Sequence, residues 1–317
     1  MTPYLFSFLQ ACIVIATAPL MVCIIRAAKA RLQNRQGASV LQPYWSLASL
    51  ARKEMTVTKH SSWVFRTAPF AILIVSFLLA LFVPTVASET WAAQYSNVFL
   101  LAAVLTSGSL WLVLGGMDAA SAFGGMGASR EMTLAALIEP AAIMIFVTLG
   151  SLTKSWNLDG IVASLTHTSW LTTNPFLILT FIAFGCVILA ENARYPVDNP
   201  ATHLELTMVH EAMILEYSGP FLAMIELAAA IKLTALSVFF LHLVLPIPVL
   251  PVKDITSAII DIISYTFKLA LSGILIAIIE SILVKMRFYR MQEFMTATYC
   301  LGLAGLVLSL LFARATL

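Results

Sequence analysis

Long apolar runs alternate with short polar connections along this chain, and the pattern predicts a bundle of membrane-spanning helices. A helix that crosses a bilayer needs about 20 apolar residues. Runs of roughly that length occupy residues 4–26, 66–87, 96–117, 132–152, 174–191, 220–245, 256–284 and 294–313. The short alternating segments of outer-membrane barrels are absent from the sequence. We therefore expect an all-α polytopic membrane protein with about eight transmembrane helices, forming a single membrane domain over residues 1–317.

The composition supports this class and argues against several functions. Hydrophobic residues make up 60% and charged residues 11% of the 317 positions, whereas soluble domains carry about 25% charged residues. No nucleic-acid partner is expected. The four cysteines lie within predicted spans, and no CxxC pair occurs. We therefore expect no iron–sulfur, zinc or nickel site on this chain.

The placement of basic residues predicts how the bundle is oriented. Thirteen of the 18 Lys and Arg residues lie in the odd-numbered connections, so the positive-inside rule puts these in the cytoplasm and both termini outside. The first connection includes a segment, 41–50, with helically spaced apolar residues and a proline suited to a first turn. We interpret it as an interfacial helix. The third connection, DAASAFGGMGASRE, is rich in Gly, Ala and Ser, which would let backbones approach closely, and it places Arg130 and Glu131 at the mouth of the fourth span.

The fifth connection, residues 191–219, concentrates charge between two apolar spans. Its acids and its basic or histidine residues are Glu191, Asp198, Glu205, Glu211, Glu216, Arg194, His203 and His210. Pro196 and Pro200 preclude a continuous helix through its first part. Thr202 to Glu205 forms a capping box, which predicts a helix from about 203 to 215 or 216. The acidic loop is either a polar site for protons or a polar partner, or a solvated cytoplasmic connection.

Several charges fall inside predicted spans, where each costs about 2.5–3.5 kcal/mol on insertion scales. They are Glu139 in the fourth span, Glu226 and Lys232 in the sixth, and Asp261, Lys268 and Glu280 in the seventh. Each should face the bundle interior or a hydrated cavity. A single pair of this kind favours static ion pairing between helices. The whole set, together with the acidic loop, favours a hydrated polar path whose members change protonation.

The segment ENARYPVD resembles the ETNRAPFD-type motif of the complex I H subunit (NADH dehydrogenase subunit 1) family, which joins the membrane and peripheral arms of complex I. The matching positions are Glu191, Arg194, Pro196, Asp198 and Pro200, with further blocks at Glu205-Leu206, Glu216 to Gly219, Ser129-Arg130 and Glu139-Pro140. The phrase DNPATHLELTMVHEAMILEYSGP is more similar to the membrane subunit of group 4 [NiFe] hydrogenases, of the hydrogenase-4 component C and formate hydrogenlyase type.

The resemblance implies a non-redox coupling subunit in a bacterial or archaeal cytoplasmic membrane. It implies hydrogenase large and small subunits, an iron–sulfur subunit and antiporter-like membrane subunits as partners. The [NiFe] centre and iron–sulfur clusters would lie on those partners, with no cofactor on this chain. The residues expected to couple protons or ions are Glu191, Asp198, Glu205, Glu211, Glu216, Glu226, Glu139, Lys232, Lys268 and Asp261. Those expected to shape or dock the loop are Arg194, Pro196, His203, His210, Tyr217 and Arg130, with Arg194 pairing to the loop acids.

Other functions remain open at this point. The same fold suits a quinone-reducing relative of complex I, in which this chain would be the H subunit, although the altered loop argues against quinone binding. A hydrogenase relative that has lost nickel and uses another redox arm is a further alternative. A stand-alone ion transporter has less support, because no inverted repeat and no matching pair of broken spans is evident.

Overall fold

The computed structural model describes residues 3–88, 90–167, 174–198, 208–245, 255–284, 286 and 288–315, and it is all-helical. The helices are α1 (Pro3–Leu32), α2 (Gln42–Ala51), α3 (Trp63–Phe82), α4 (Val98–Asp118), α5 (Ala122–Thr153), α6 (Leu158–His167), α7 (Leu177–Glu191), α8 (His210–Ile214), α9 (Gly219–Val244), α10 (Ile255–Ile282) and α11 (Phe288–Ala315). A short 3₁₀ helix covers Trp91–Tyr95. The expected all-α membrane fold is confirmed.

Seven of these helices are long and apolar enough to cross a membrane: α1, α3, α4, α5, α9, α10 and α11. The chain is therefore a multi-pass membrane protein. The predicted run 174–191 corresponds to α7, whose 15 residues fall short of the about 20 that a spanning helix needs. The predicted interfacial helix is present as α2, with Pro43 in its first turn.

Two helices extend beyond the predicted spans into the first and third connections. The basic segment after residue 26 continues α1 to Leu32. The Gly-, Ala- and Ser-rich segment of the third connection belongs to α5, which begins at Ala122 with the Ser121 side chain capping it. A glycine inside a helix costs about 1 kcal/mol relative to alanine. Here close packing offsets that cost, because a Cβ on Gly124 would overlap the Gly116 carbonyl oxygen.

Helix α9 runs through the middle of the bundle and contacts α1, α2, α3, α7 and α10. The contacts define two ends. At the end called here the loop end, Lys29 and Glu280 meet, as do Thr56 and Ser218. At the opposite end, called the far end, the Gln10 amide donates to the Val83 carbonyl. The acidic connection therefore lies at the loop end, next to the C-termini of α1 and α10.

Candidate functional site

A partly buried ion pair stands at the point where α7 enters the acidic connection. The Lys232 ammonium on α9 donates to Glu191 Oε1 at 2.9 Å. The Ser109 hydroxyl of α4 lies 3.4 Å from the same oxygen. Because few of these side-chain atoms are exposed, each charge depends on the other for its stability. The structure thus brings together two of the predicted coupling residues.

This pair lines a cavity of about 70 Å³ with otherwise mainly apolar walls, called cavity A. Glu131 of α5 and His210 of α8 also line it. Glu131 was placed at the mouth of the fourth span with Arg130 but was not among the predicted site residues. Since α5 begins earlier than the predicted span, Glu131 lies on the same helix as Glu139. Cavity A therefore gathers two carboxylates, one ammonium and one imidazole.

A second cavity, of about 340 Å³ and called cavity B, lies between α1, α2, α9 and the acidic connection. Its charged lining consists of Arg26, Arg194, Asp198, Glu211 and Glu226, with His210 also present. His210 and Asn192 line both cavities. The Asn192 amide oxygen is buried and has no hydrogen-bond partner among the described residues. These two side chains form a polar wall that the cavities share, and Asn192 was not predicted.

Asp198 and His210 are joined through the backbone at the start of α8. The backbone N–H groups of Val209 and His210 both donate to Asp198 Oδ2 at 3.2 Å. Burial, with the nearby Lys232 ammonium adding to it, lowers the pKa of His210 to about 4. The imidazole is therefore neutral at pH 7 and can both donate and accept a hydrogen bond. Because His210 lines both cavities, it is placed to relay a hydrogen-bond rearrangement or a proton from one cavity to the other.

Among the described residues, Arg194 forms its ion pair outside the acidic loop, contrary to the prediction. Its Nη1 lies 3.2 Å from Oε1 of Glu280 at the end of α10. The other oxygen of Glu280 lies 3.2 Å from the Lys29 ammonium of α1, and Lys29 sits 4.7 Å from the Tyr195 ring centroid. Burial lowers the pKa of Arg194, and the Glu280 carboxylate opposes that shift. These contacts hold the start of the acidic connection against α1 and α10.

Three of the residues predicted to shape the loop contact the segments around it. Arg130 Nη1 donates to the Met208 carbonyl at 2.8 Å. The Pro196 carbonyl accepts from the backbone N–H of Met286 at 3.1 Å. Tyr217 stacks on Phe65 with ring centroids 4.1 Å apart, and burial raises the pKa of its phenol.

The remaining predicted residues lie apart from the two cavities or outside the described residues. Glu216 is partly exposed and lines neither cavity A nor cavity B. Glu139 lies further along α5, within hydrogen-bonding reach of Thr106. Asp261 and Lys268 are buried towards the far end of the bundle. His203, Glu205 and the predicted helix start near 203 fall in residues 199–207, outside the described part. Of the predicted helix 203–216, the structure describes His210–Ile214 as helical.

Residues 5–311 match the profile of a family described as NADH dehydrogenase. Formate hydrogenlyase subunit 4 of Escherichia coli (strain K12) is 26% identical over 283 residues, 89% of this chain and 91% of that protein. Hydrogenase-4 component C of the same organism is 27% identical, covering 90% and 89%. The H subunit of NADH-quinone oxidoreductase from Pelagibacter ubique (strain HTCC1062) is 27% identical, covering 88% and 85%.

A solved chain has a similar fold. It comes from the structure of the membrane-bound sulfane sulfur reductase (MBS), an archaeal respiratory membrane complex. The TM-score is 0.78 with 17% sequence identity, and the alignment covers 96% of this chain and 99% of that one. At this identity the likeness shows a shared fold.

Proposed function

This chain belongs to the NADH dehydrogenase family, and on that premise we propose that it is the membrane coupling subunit of a group 4 [NiFe]-hydrogenase complex of the formate hydrogenlyase type. Two relatives that align over about nine tenths of the chain are subunits of that type by name. In this proposal the acidic connection faces the cytoplasm of a bacterium or archaeon. It docks a peripheral arm made of hydrogenase large and small subunits and an iron–sulfur subunit, and antiporter-like subunits adjoin the bundle.

The observation that carries the coupling role is the shared lining of the two cavities. His210 connects cavity B, which faces the acidic connection, with cavity A, which contains Glu131, Glu191 and Lys232. At an effective dielectric constant of 20, a unit charge that appears about 4 Å from a carboxylate changes its energy by about 4 kcal/mol. That is roughly three pKa units. A charge change that close to a carboxylate would therefore be large enough to move a proton on or off it.

The redox chemistry would belong to the [NiFe] centre and iron–sulfur clusters of the partner subunits. This chain would contribute electrostatics: redox-linked charge changes near Asp198, Glu211 and His210 would alter the balance of the Glu191–Lys232 pair. The transported ion would be H⁺ or Na⁺. Neighbouring antiporter-like subunits would then respond to the altered Glu191–Lys232 pair and transport the ion.

A second candidate is the H subunit of a quinone-reducing complex I relative, which the similarity to the NADH-quinone oxidoreductase chain favours equally. One structural observation supports it. The lining of cavity A is largely apolar with a few polar groups, which is the character of small-molecule sites.

Purification of the native complex through a tag on this chain, followed by mass spectrometry of the co-purified subunits, separates the candidates. Hydrogenase large and small subunits would support the leading proposal, and NADH-dehydrogenase subunits would replace it with the second. The chain alone, stable and monodisperse, would contradict both and revive an independent transporter.

The coupling role is tested by Glu191→Gln in the same complex. Gln keeps a hydrogen-bond acceptor for Lys232 but removes the negative charge. We expect the complex to assemble and to retain dye-linked redox activity, while ion movement driven by its own electron donor falls by about 10²-fold. Normal ion movement in this variant would refute the role of Glu191. Glu293→Gln, at an exposed position of α11, is the matched control.

A further inference from the structure

One face of the interfacial helix α2 is left uncovered by the bundle. Helix α2 packs on α1 and α9, and Pro43 in its first turn is buried. The opposite face forms a surface groove, called the α2 groove, whose lining residues are Trp45, Ala48, Ser49, Arg52 and Lys53. Positions spaced in this way lie along one side of a helix. The groove therefore joins an exposed indole to two basic side chains.

Helix α2 slopes from the depth of the bundle towards the loop end. Near its start, the Tyr44 hydroxyl donates to the Ala16 carbonyl of α1 at 2.6 Å. Ala16 precedes Arg26, the first basic residue of α1, by about 15 Å along the helix. Just past the end of α2, Lys53 lies against the start of α9, because a Cβ on Gly219 would lie 3.0 Å from the Lys53 carbonyl oxygen. The start of α2 is therefore deeper than its end.

The exposed side chains change character along the same slope. The deep end carries Val40, Leu41 and Trp45, which are 56%, 58% and 69% exposed. The shallow end carries Arg52 and Lys53, both exposed. A phospholipid has the same order, with its acyl chains towards the bilayer centre and its phosphate at the surface, and tryptophan is enriched at the boundary between the two regions. The α2 groove therefore matches one amphiphilic molecule along its length.

The charge of the surrounding chain favours an anionic headgroup. From Arg26 to Arg66 the sequence carries eight basic residues and a single acid, Glu54. Glu54 directly follows Lys53 and is exposed, so it offsets part of the local positive charge. Arg52 offers a planar guanidinium that can donate to two phosphate oxygens at once, and Lys53 offers a compact ammonium. A zwitterionic headgroup brings a cation of its own, which these two groups repel.

Depth argues against a peripheral protein subunit as the occupant. Such a subunit would rest on the loop end, whereas Trp45 directly follows Tyr44, whose hydroxyl reaches the middle of α1. A neighbouring membrane helix would have to place an acid opposite Arg52 and Lys53 as well as an apolar surface opposite Trp45. A membrane lipid with an anionic headgroup supplies both partners in one molecule.

We propose that the α2 groove binds one anionic phospholipid of the surrounding membrane. Its phosphate lies at Arg52 and Lys53, and an acyl chain lies along Leu41 and Trp45. The ligand is a lipid phosphate rather than free phosphate, because a free anion has no apolar part to cover these two side chains. The site goes beyond the proposed coupling function, since it needs no redox partner.

Tryptophan quenching in lipid nanodiscs tests the site. The complex that contains this chain is placed in phosphatidylcholine with rising fractions of phosphatidylglycerol, and one of the two lipids carries bromine on its acyl chains to quench nearby tryptophan. The Trp45 signal is the difference between the wild type and Trp45→Phe, which keeps an aromatic ring in the groove. We expect phosphatidylglycerol to be preferred at Trp45 by about 30-fold, the combined effect of two basic residues on an anionic headgroup.

Charge variants identify the residues that hold the headgroup. Arg52→Gln together with Lys53→Gln should reduce the preference at Trp45 to about one, and each single variant should reduce it about fivefold. The matched control is Arg31→Gln together with Arg35→Gln, which removes the same charge from exposed positions outside the groove. The control should keep the preference of the wild type. An equal fall in the control would overturn the site, because it would show a diffuse attraction to the whole connection.

The remaining outcomes also decide the question. Equal quenching by the two brominated lipids in the wild type would show bilayer contact without headgroup selection and would overturn the site. Quenching by neither lipid would overturn it in favour of a protein that covers α2. Loss of the preference on addition of inorganic phosphate at constant ionic strength would assign the basic pair to a free anion. If neither the double variant nor the single variants assemble, the basic pair is structural and the lipid site is overturned.

Discussion

Replacing Glu280 with Gln should loosen the attachment of the start of the acidic connection to α1 and α10. The carboxylate receives Arg194 at one oxygen and Lys29 at the other, each at 3.2 Å. The Glu280 side chain is 3% exposed and that of Arg194 is 14% exposed. The substitution therefore leaves a guanidinium charge in a buried place without its counterion.

The two contacts differ in their expected contribution. Breaking a buried pair by removing one partner costs about 3–5 kcal/mol, because the remaining charge stays desolvated. The Lys29 side chain is 23% exposed, so its contact falls nearer the range of surface pairs, about 0–1 kcal/mol. We expect the larger cost at Arg194 to dominate. Its effect should be local, since the contact joins the end of α10 to the residues that follow α7.

The assay is thermal unfolding of the detergent-solubilised complex, combined with limited proteolysis of the segment from Arg194 to Tyr217. Glu280→Gln should lower the unfolding temperature and expose that segment to cleavage. Glu293→Gln, at an exposed position of α11, should do neither. The double variant Arg194→Gln with Glu280→Gln should be more stable than Glu280→Gln alone, because it buries no unpaired charge. Strictly additive losses in the double variant, or equal behaviour of the two Glu variants, would refute this reasoning.

Two further predictions concern pH and helix packing. The depressed pKa of His210, about 4 in the folded chain against about 6.5 when unfolded, means that the unfolded state binds more protons between these values. Stability should therefore fall as the pH drops from about 6.5 to about 4, and unfolding midpoints against pH should show a smaller fall for His210→Gln. Gly124→Ala should destabilise the complex by about 1–3 kcal/mol through overpacking, because its Cβ would overlap a backbone oxygen. Gly125→Ala, with no heavy atom within 4 Å of its Cβ, should be neutral or stabilising by up to about 1 kcal/mol. Equal denaturation midpoints for the two alanine variants would contradict the packing argument. A pH dependence of stability in His210→Gln that matches the wild type would contradict the prediction for His210.

Local signals in the sequence located the helices but not all of their ends. The small-residue segment before residue 132 was predicted to be a connection in which backbones approach closely. It is part of α5, where Gly124 and Gly127 allow that helix to pack closely against α4 and α8. The contact involves residues distant in sequence, such as Val209, so no local pattern could identify these partners. Glu131 was not selected as a site residue for the same reason.

The choice of charge partners was also beyond the sequence. Arg194 was expected to pair within its own connection, yet its partner Glu280 lies 86 positions away. The Glu191–Lys232 pair joins residues that were both predicted to take part, but their pairing was not predicted. His242 carried no signal, since a single histidine near the end of an apolar helix is common. Its contact with Lys268 arises only when α9 and α10 pack together.

The sequence alone determined the class of this protein, the approximate course of its long helices and the family to which it belongs. Apolar runs of about 20 residues have one stable solution in a bilayer, a helix that satisfies its own backbone hydrogen bonds. The tertiary structure decided which charges meet, where the cavities lie and that Lys268 of α10 contacts His242 of α9. Those features depend on how helices far apart in the chain pack side by side. The periodicity of one segment does not specify which other segments will pack against it.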